Sequence, residues 1–178
     1  LNFSKLLNQK ATHIPSGQHV LNEDYYKRIE AIQFTMNHDD GNSLIDVEKS
    51  DVILLGVSRT SKTPTSIYLA NRGYKTINIP LVLNQKLSKN LSSNTKACII
   101  GLIADPERLA DIRRNRVAIM NDHQIKDYTD LEFIKKEVKD SKNLFKKNNW
   151  PVIDVTRRSV EETAASILKI IEIKKNKK

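Results

Sequence analysis

Residues 51–64, DVILLGVSRTSKTP, constrain this chain more than any other stretch, because an unbroken apolar run gives way there to a polar loop and a helix start. Val52-Ile53-Leu54-Leu55 shows no polar alternation, which is the pattern of a parallel strand buried on both faces. Pro64 suits a first helical turn, where its missing N–H costs nothing. Between them, Gly56 to Thr63 matches the phosphate-loop spacing G-x-x-x-x-G-K-[ST] at every fixed position except 61, where serine replaces the second glycine. Such a loop turns successive backbone N–H groups toward a phosphate at a helix N-terminus. On this reading Gly56, Val57, Ser58, Arg59, Thr60, Ser61, Lys62 and Thr63 form the cradle, with the Lys62 ammonium on the outer phosphates and the Thr63 hydroxyl on Mg²⁺. Serine joins such a cradle if its φ stays negative, so a negative φ is expected at Ser61. The competing reading is an ordinary strand-turn-helix junction with a chance Lys-Thr pair.

The remaining chain repeats the strand-then-helix rhythm. Residues 65–72 make a short helix that Gly73 can terminate, and Lys75 to Ile79 alternates into a second strand ending at Pro80. Residues 83–95 are polar and weakly periodic, and read as a helix. Ala97 to Ile103 is a near-continuous apolar run and so a further buried parallel strand. Asp105-Pro106-Glu107 starts a helix; Asp105 would cap it, or would hold Mg²⁺ from the end of a strand beside the phosphate loop. That helix carries Arg113, Arg114 and Arg116, of which Arg113 and Arg116 form a candidate phosphate clamp, with an exposed basic face as the plainer reading.

Three more helices are expected. The first begins at a cap on Asn22 and aligns Tyr25, Ile29, Ile32 and Met36 as a core-facing stripe. It stops at His38-Asp39-Asp40-Gly41, where two carboxylates beside a histidine suit a general base or a metal, and equally a polar turn. The second has a capping box of Thr129 with Glu132 and an inward face of Leu131, Ile134, Val138 and Phe145, ending at Trp150-Pro151. Val152 to Val155 is the last strand, and Ser159 with Glu162 caps a final helix whose Ala164, Ile167 and Ile171 face inward. The whole reads as a three-layer α/β domain, its sheet mainly parallel and its ligands at the carboxyl ends of the strands.

At 178 residues the chain holds one well-buried core, so the expected layout is an arm over residues 1–20 and one domain over 21–178 with a basic tail. The formal charge of +9 comes largely from lysines such as those of 174–178, which read as a solvated tail. No aromatic-interleaved basic stripe accompanies it, which argues against nucleic-acid binding. No apolar run approaches the roughly 20 residues that cross a bilayer, and the N-terminus lacks signal-peptide order, so a cytoplasmic location is expected. Cys98, the single cysteine, lies among apolar neighbours and reads as a small buried hydrophobe.

Residues 51–73, DVILLGVSRTSKTPTSIYLANRG, resemble the signature of the pyruvate, phosphate dikinase regulatory proteins, a family that also includes regulators of phosphoenolpyruvate synthase. His38-Asp39-Asp40-Gly41, the 101–116 stretch beginning GLIADPERL, and the 151–164 stretch beginning PVIDVT resemble the same family, so the likeness covers nearly the whole chain. It extends to the C-terminal part of those proteins, which carry an additional N-terminal region. The resemblance implies a P-loop kinase-like fold and a bifunctional enzyme: ADP phosphorylates a threonine of the dikinase, and inorganic phosphate removes that group as pyrophosphate. Lys62 and the loop amides would then hold the reacting phosphate, Arg59 would stabilise developing charge, and Asp39 or Asp40 would accept the threonine proton. Mg²⁺, if used, would meet Thr63 and Asp105. Phosphoenolpyruvate synthase as the target, a small-molecule kinase and a non-catalytic nucleotide sensor stay open as alternatives, as does a homodimer.

Overall fold

The computed structural model describes residues 23–39, 46–82, 91, 96–120 and 126–176. Strands β1 (Val52–Gly56), β2 (Thr76–Pro80), β3 (Cys98–Ile103) and β4 (Val152–Asp154) form one sheet in the order β2-β1-β3-β4, with every pairing parallel. The helices are α1 (Glu23–Asn37), α2 (Lys62–Ala70), α3 (Pro106–Met120), the single turn α4 (Lys126–Thr129), α5 (Leu131–Lys147) and α6 (Val160–Asn176). Among the described residues no helix is long and apolar enough to cross a membrane.

Strand β1 lies between β2 and β3, and all five of its residues are buried, as its lack of alternation requires. Val52 and Leu54 join Cys98, Ile100 and Leu102 of β3 in a core against Leu69 of α2 and Ala164, Ile167 and Ile171 of α6. On the opposite face Ile53 and Leu55 pack with Ile77, Ile79, Ile99, Leu91 and Phe145 of α5. Full burial of each such Ile or Leu side chain contributes about 1.5–3 kcal/mol, which makes this two-sided packing the main source of stability. The three layers expected from the alternating elements are therefore present.

The crossover from β1 through α2 leads to β2 on one side, whereas β3 lies on the other side of β1. The loops that follow β1 and β3 thus diverge, which opens a crevice at the carboxyl ends of the central strands. Helix α2 is stopped by Gly73 at φ 86, where the Gly73 and Tyr74 N–H groups bond the carbonyls of Ala70 and Leu69 at 2.8 and 3.1 Å. The capping box on α6 is formed as expected: the Ser159 N–H donates to Glu162 at 2.9 Å and the Glu162 N–H to the Ser159 hydroxyl at 3.1 Å.

Two expectations are corrected. The stripe on α1 does not face the core, since Tyr25, Ile29 and Met36 are 42%, 44% and 64% exposed, and Ala31 and Thr35 are buried instead. The cause is the edge of the sheet. The Thr76 N–H donates to the Thr35 hydroxyl at 3.0 Å and the Asn78 N–H to the His38 carbonyl at 3.3 Å, so α1 is turned to satisfy outward amides of β2 rather than to bury its largest side chains. The cap of α5 is Asp130, whose carboxylate accepts the Phe133 N–H at 2.8 Å; Thr129 belongs to α4, and Glu132 pairs with Lys135. The inward face of α5 is as expected, with Ile134, Val138 and Phe145 buried. The arm over 1–20, the Asn22 cap and the proposed helix over 83–95, apart from a buried helical Leu91, lie outside the described residues.

Gly101 shows how tightly α5 is seated. A Cβ at that position would lie 2.5 Å from the ring of Phe145, which is itself fully buried and has nowhere to move. Gly101→Ala is expected to destabilise the domain by about 1–3 kcal/mol through overpacking, read as a lower urea midpoint at unchanged slope.

Candidate functional site

The segment from Gly56 to Thr63 leaves β1 through a space that only glycine allows. A Cβ on Gly56 would stand 2.6 Å from the Leu102 carbonyl oxygen of β3 and 2.7 Å from the Thr60 hydroxyl. The chain therefore folds back tightly over the strand end, and the buried Thr60 hydroxyl and the Lys62 ammonium both donate to the Val57 carbonyl at 2.9 Å. Lys62 is 6% exposed, so its charge is held inside the loop rather than spread into solvent.

Ser61 corrects a specific expectation. Its φ is 55 and its ψ 25, in the left-handed region, and Arg59 has φ 71. Among the described residues the only other non-glycine with positive φ is Asn149. Two left-handed residues flank Thr60, and alternation of left-handed with other residues is the backbone pattern from which anion-binding concavities are built. Serine thus adopts the conformation that glycine would adopt there, at a conformational cost, and strain of this kind concentrates at functional positions.

Ser58, Arg59, Ser61, Lys62, Thr63, Pro64, Pro80 and Ile112 line a cleft of about 370 Å³. Its size falls within the range of small-ligand sites. At its rim the Thr63 hydroxyl donates to Asp39 Oδ1 at 3.2 Å, while Asn78 Nδ2 donates to the same carboxylate oxygen at 2.5 Å and to the Thr63 hydroxyl at 3.0 Å. The end of α1, β2 and the start of α2 meet at these three side chains. Asn78 is 1% exposed and its Oδ1 has no partner. Sequence reasoning missed it because alternation along Lys75 to Ile79 assigns Asn78 to an outer face. The available signal was that a strand covered on both sides must give such a polar residue a partner.

His38, the residue before Asp39, is itself held by its neighbours. Its Nδ1 donates to the Phe34 carbonyl at 2.7 Å, its ring stacks on Phe34 at 4.1 Å, and Nε2 faces Asp46 at 3.6 Å. Hydrogen bonding from Lys49, and to a lesser degree His38, holds the Asp46 carboxyl below its ordinary value. Asp40 and Gly41 lie outside the described residues.

The candidate clamp divides. Arg113 is fully buried, ion-paired to Glu137 at 2.7 Å, and donates to the carbonyls of Ser58 and Tyr128 at 3.2 Å each. It is an internal brace of the loop and not a group that reaches into solvent, because its burial demands a compensating carboxylate and backbone acceptors. Arg116 is exposed on α3. Asp105 caps α3, its Oδ1 accepting the Glu107 and Arg108 N–H groups at 3.0 Å. The carboxylate that meets Thr63 is that of Asp39. Among the described residues no group of three or more His, Cys, Asp or Glu side chains could hold a metal on its own. The Thr63 hydroxyl and Asp39 carboxylate are hard oxygen ligands of the kind that suit Mg²⁺ shared with phosphate oxygens. Cys98 is buried, as expected, and burial raises its thiol pKa.

The chain is similar in sequence to known proteins along nearly its whole length. A family model described as kinase/pyrophosphorylase matches residues 1–168. A protein of Pelagibacter ubique (strain HTCC1062) carrying the provisional name pyruvate, phosphate dikinase regulatory protein is 64% identical over 177 residues, which cover 99% of this chain and 65% of that protein. Proteins of the same name from Erythrobacter litoralis (strain HTCC2594) and Sinorhizobium medicae (strain WSM419) are each 51% identical, over 92% and 93% of the chain and 59% and 61% of their own lengths. The chain therefore spans less than two thirds of these relatives.

The left-handed serine yields a direct test. Ser61→Gly removes a side-chain penalty of about 1–2 kcal/mol and adds about 0.5–1 kcal/mol of backbone entropy cost, so the variant should gain up to roughly 1.5 kcal/mol of stability. Ser61→Val should lose stability, because a β-branched residue tolerates positive φ worst. Paired thermal melts check both, and a Ser61→Gly protein that melts lower than the parent would contradict the observed φ.

Proposed function

Because the chain belongs to the kinase/pyrophosphorylase family, we propose that residues 21–178 form the nucleotide-binding domain of a bifunctional protein kinase and phosphorylase acting on a pyruvate, phosphate dikinase. In one direction a threonine hydroxyl of the dikinase attacks the β-phosphorus of ADP, the bond from that phosphorus to the α-phosphate oxygen breaks, and AMP leaves. In the other, an inorganic phosphate oxygen attacks the phosphothreonine phosphorus, the bond to the threonine oxygen breaks, and pyrophosphate leaves. The cytoplasm is the proposed setting.

The observation that carries this reading is the junction of Asp39, Thr63 and Asn78 beside the strained loop. A nucleotide cradle needs only the loop, whereas phosphoryl transfer to a hydroxyl also needs a proton acceptor held close to the reacting phosphate. Asp39 Oδ1 is engaged by Thr63 and Asn78, which orients the carboxylate and leaves Oδ2 as the oxygen that would take the substrate proton. In the reverse direction the same oxygen returns the proton to the departing threonine. The loop amides and Lys62 bind the phosphate to be transferred, and Arg59 on the cleft wall offsets charge that grows on its oxygens. Mg²⁺, when bound at the Thr63 hydroxyl, would neutralise further phosphate charge. Catalysis then rests on positioning and charge rather than on a covalent intermediate.

Two substitutions separate binding from chemistry. Lys62→Ala should lower ADP affinity by at least tenfold in calorimetric titration while leaving the fold intact, since a charge-assisted contact to phosphate is worth about 1.5–3 kcal/mol. Asp39→Asn should bind ADP within about twofold of the parent and lose both kinase and phosphorylase turnover by roughly 10²–10⁴-fold, assayed with dikinase in the full-length protein. Full activity in Asp39→Asn would remove that carboxylate from the proton path. Normal ADP affinity in Lys62→Ala would show that the loop is only a junction.

A further inference from the structure

Tyr128 lies on α4, far from the phosphate loop in sequence, yet it touches the loop at Arg59, one of its two left-handed residues. Its hydroxyl is 3.1 Å from the Ser58 hydroxyl and accepts from Arg59 Nε at 3.4 Å. The Arg113 guanidinium lies 4.7 Å over its ring. Arg113 is in turn tied to Glu137 of α5 and to the Ser58 and Tyr128 carbonyls, with the two side chains only 1% and 10% exposed. A rigid chain of contacts therefore runs from the α3–α5 pair through Tyr128 to the two residues in the middle of the loop.

We infer that Tyr128 is a positioning residue that holds Arg59 against the cleft wall so that its guanidinium meets the outermost phosphate of a nucleoside diphosphate. This rests on the phosphate-loop reading above and deepens it. The bond to Tyr128 uses Nε alone, so the terminal amino groups of Arg59 keep donors for phosphate oxygens while the anchored edge limits how far the guanidinium can swing. Without an anchor, an exposed arginine on a left-handed residue would sample many rotamers and lose most of its effect on a bound phosphate. The surroundings of the hydroxyl agree. Burial would raise the Tyr128 pKa, but hydrogen bonds to Ser58 and Arg59 and the positive charges of Arg59 and Arg113 outweigh it and leave the phenol below its ordinary value. The phenol oxygen accepts from the guanidinium and shares a second hydrogen bond with the Ser58 hydroxyl.

Calorimetric titration of the chain with ADP and with AMP tests the assignment, since AMP lacks the phosphate that Arg59 would grip. Tyr128→Phe keeps the ring under Arg113 and removes only the hydroxyl. It should melt with the parent, weaken ADP about five- to tenfold and shift AMP less than twofold. In an Arg59→Ala background the same change should have no further effect on ADP, because Tyr128 acts through Arg59. Equal weakening of ADP and AMP, unchanged ADP affinity, or losses that simply add in the double variant would each overturn the inference. Should Tyr128→Phe fail to fold, Arg59→Lys substitutes for it: a charge without the fork should give the same selective loss of ADP, and parental ADP affinity would refute the proposal. Lys62→Ala separates the two levels of argument. If it leaves ADP binding intact, the loop holds no phosphate and both readings fall; if it removes binding while Tyr128→Phe does not disturb it, only the role of Tyr128 falls.

Discussion

The carboxyl end of this sheet is organised by a missing side chain. Because Gly56 carries no Cβ, the backbone leaving β1 can approach the Leu102 carbonyl of β3 and fold the Thr60 hydroxyl over itself. That approach draws the Val57 carbonyl inward, where Thr60 and Lys62 both bond to it, and the helix starts at once. A wider exit from the strand would carry Lys62 and Thr63 away from Asn78 and Asp39. The placement of charge at the site therefore follows from a steric fact at its root.

Around this turn the protein builds walls of different character. On the α1 side the contacts are hydrogen bonds among Asp39, Thr63 and Asn78, which leave the site open to a polar substrate. On the α3–α5 side the wall is a buried ion pair, Arg113 with Glu137, sealed by the Tyr128 ring. A buried pair of this kind adds little net stability, but losing one partner strands the other charge at a cost of about 3–5 kcal/mol. Its value lies in fixing where the loop can be.

Most of the architecture was legible in the sequence because strands buried on both faces have to be written as unbroken apolar runs, and because Ser159 and Glu162 stand at capping-box spacing. The inward face of α5 was equally plain, since Ile134, Val138 and Phe145 recur at helical spacing. What escaped were properties decided by contacts distant in the chain. Arg113 looked like a solvent-facing cation until Glu137, Ser58 and Tyr128 were brought to it. Ser61 looked like a residue with negative φ because backbone sign at a turn is set by where the strand before it and the helix after it are fastened. On α1, hydrophobic spacing named one face and the amides of an edge strand selected another. Asp39 could be singled out but not given a neighbour, since Asn78 is silent until the sheet is assembled.

The way α1 lies along β2 also limits what the sheet can become. The residues of β2 whose amides point outward are Thr76, Asn78 and Pro80: the first donates to Thr35, the second to His38, and the third has no hydrogen to give. A visiting strand would find no amide donor to pair with along that margin. Strand β4, by contrast, is at the end of the described sheet with Val152 42% exposed. Among the described residues, the margin of β2 beside Asp39 is therefore closed to the backbone pairing that would extend the sheet on that side.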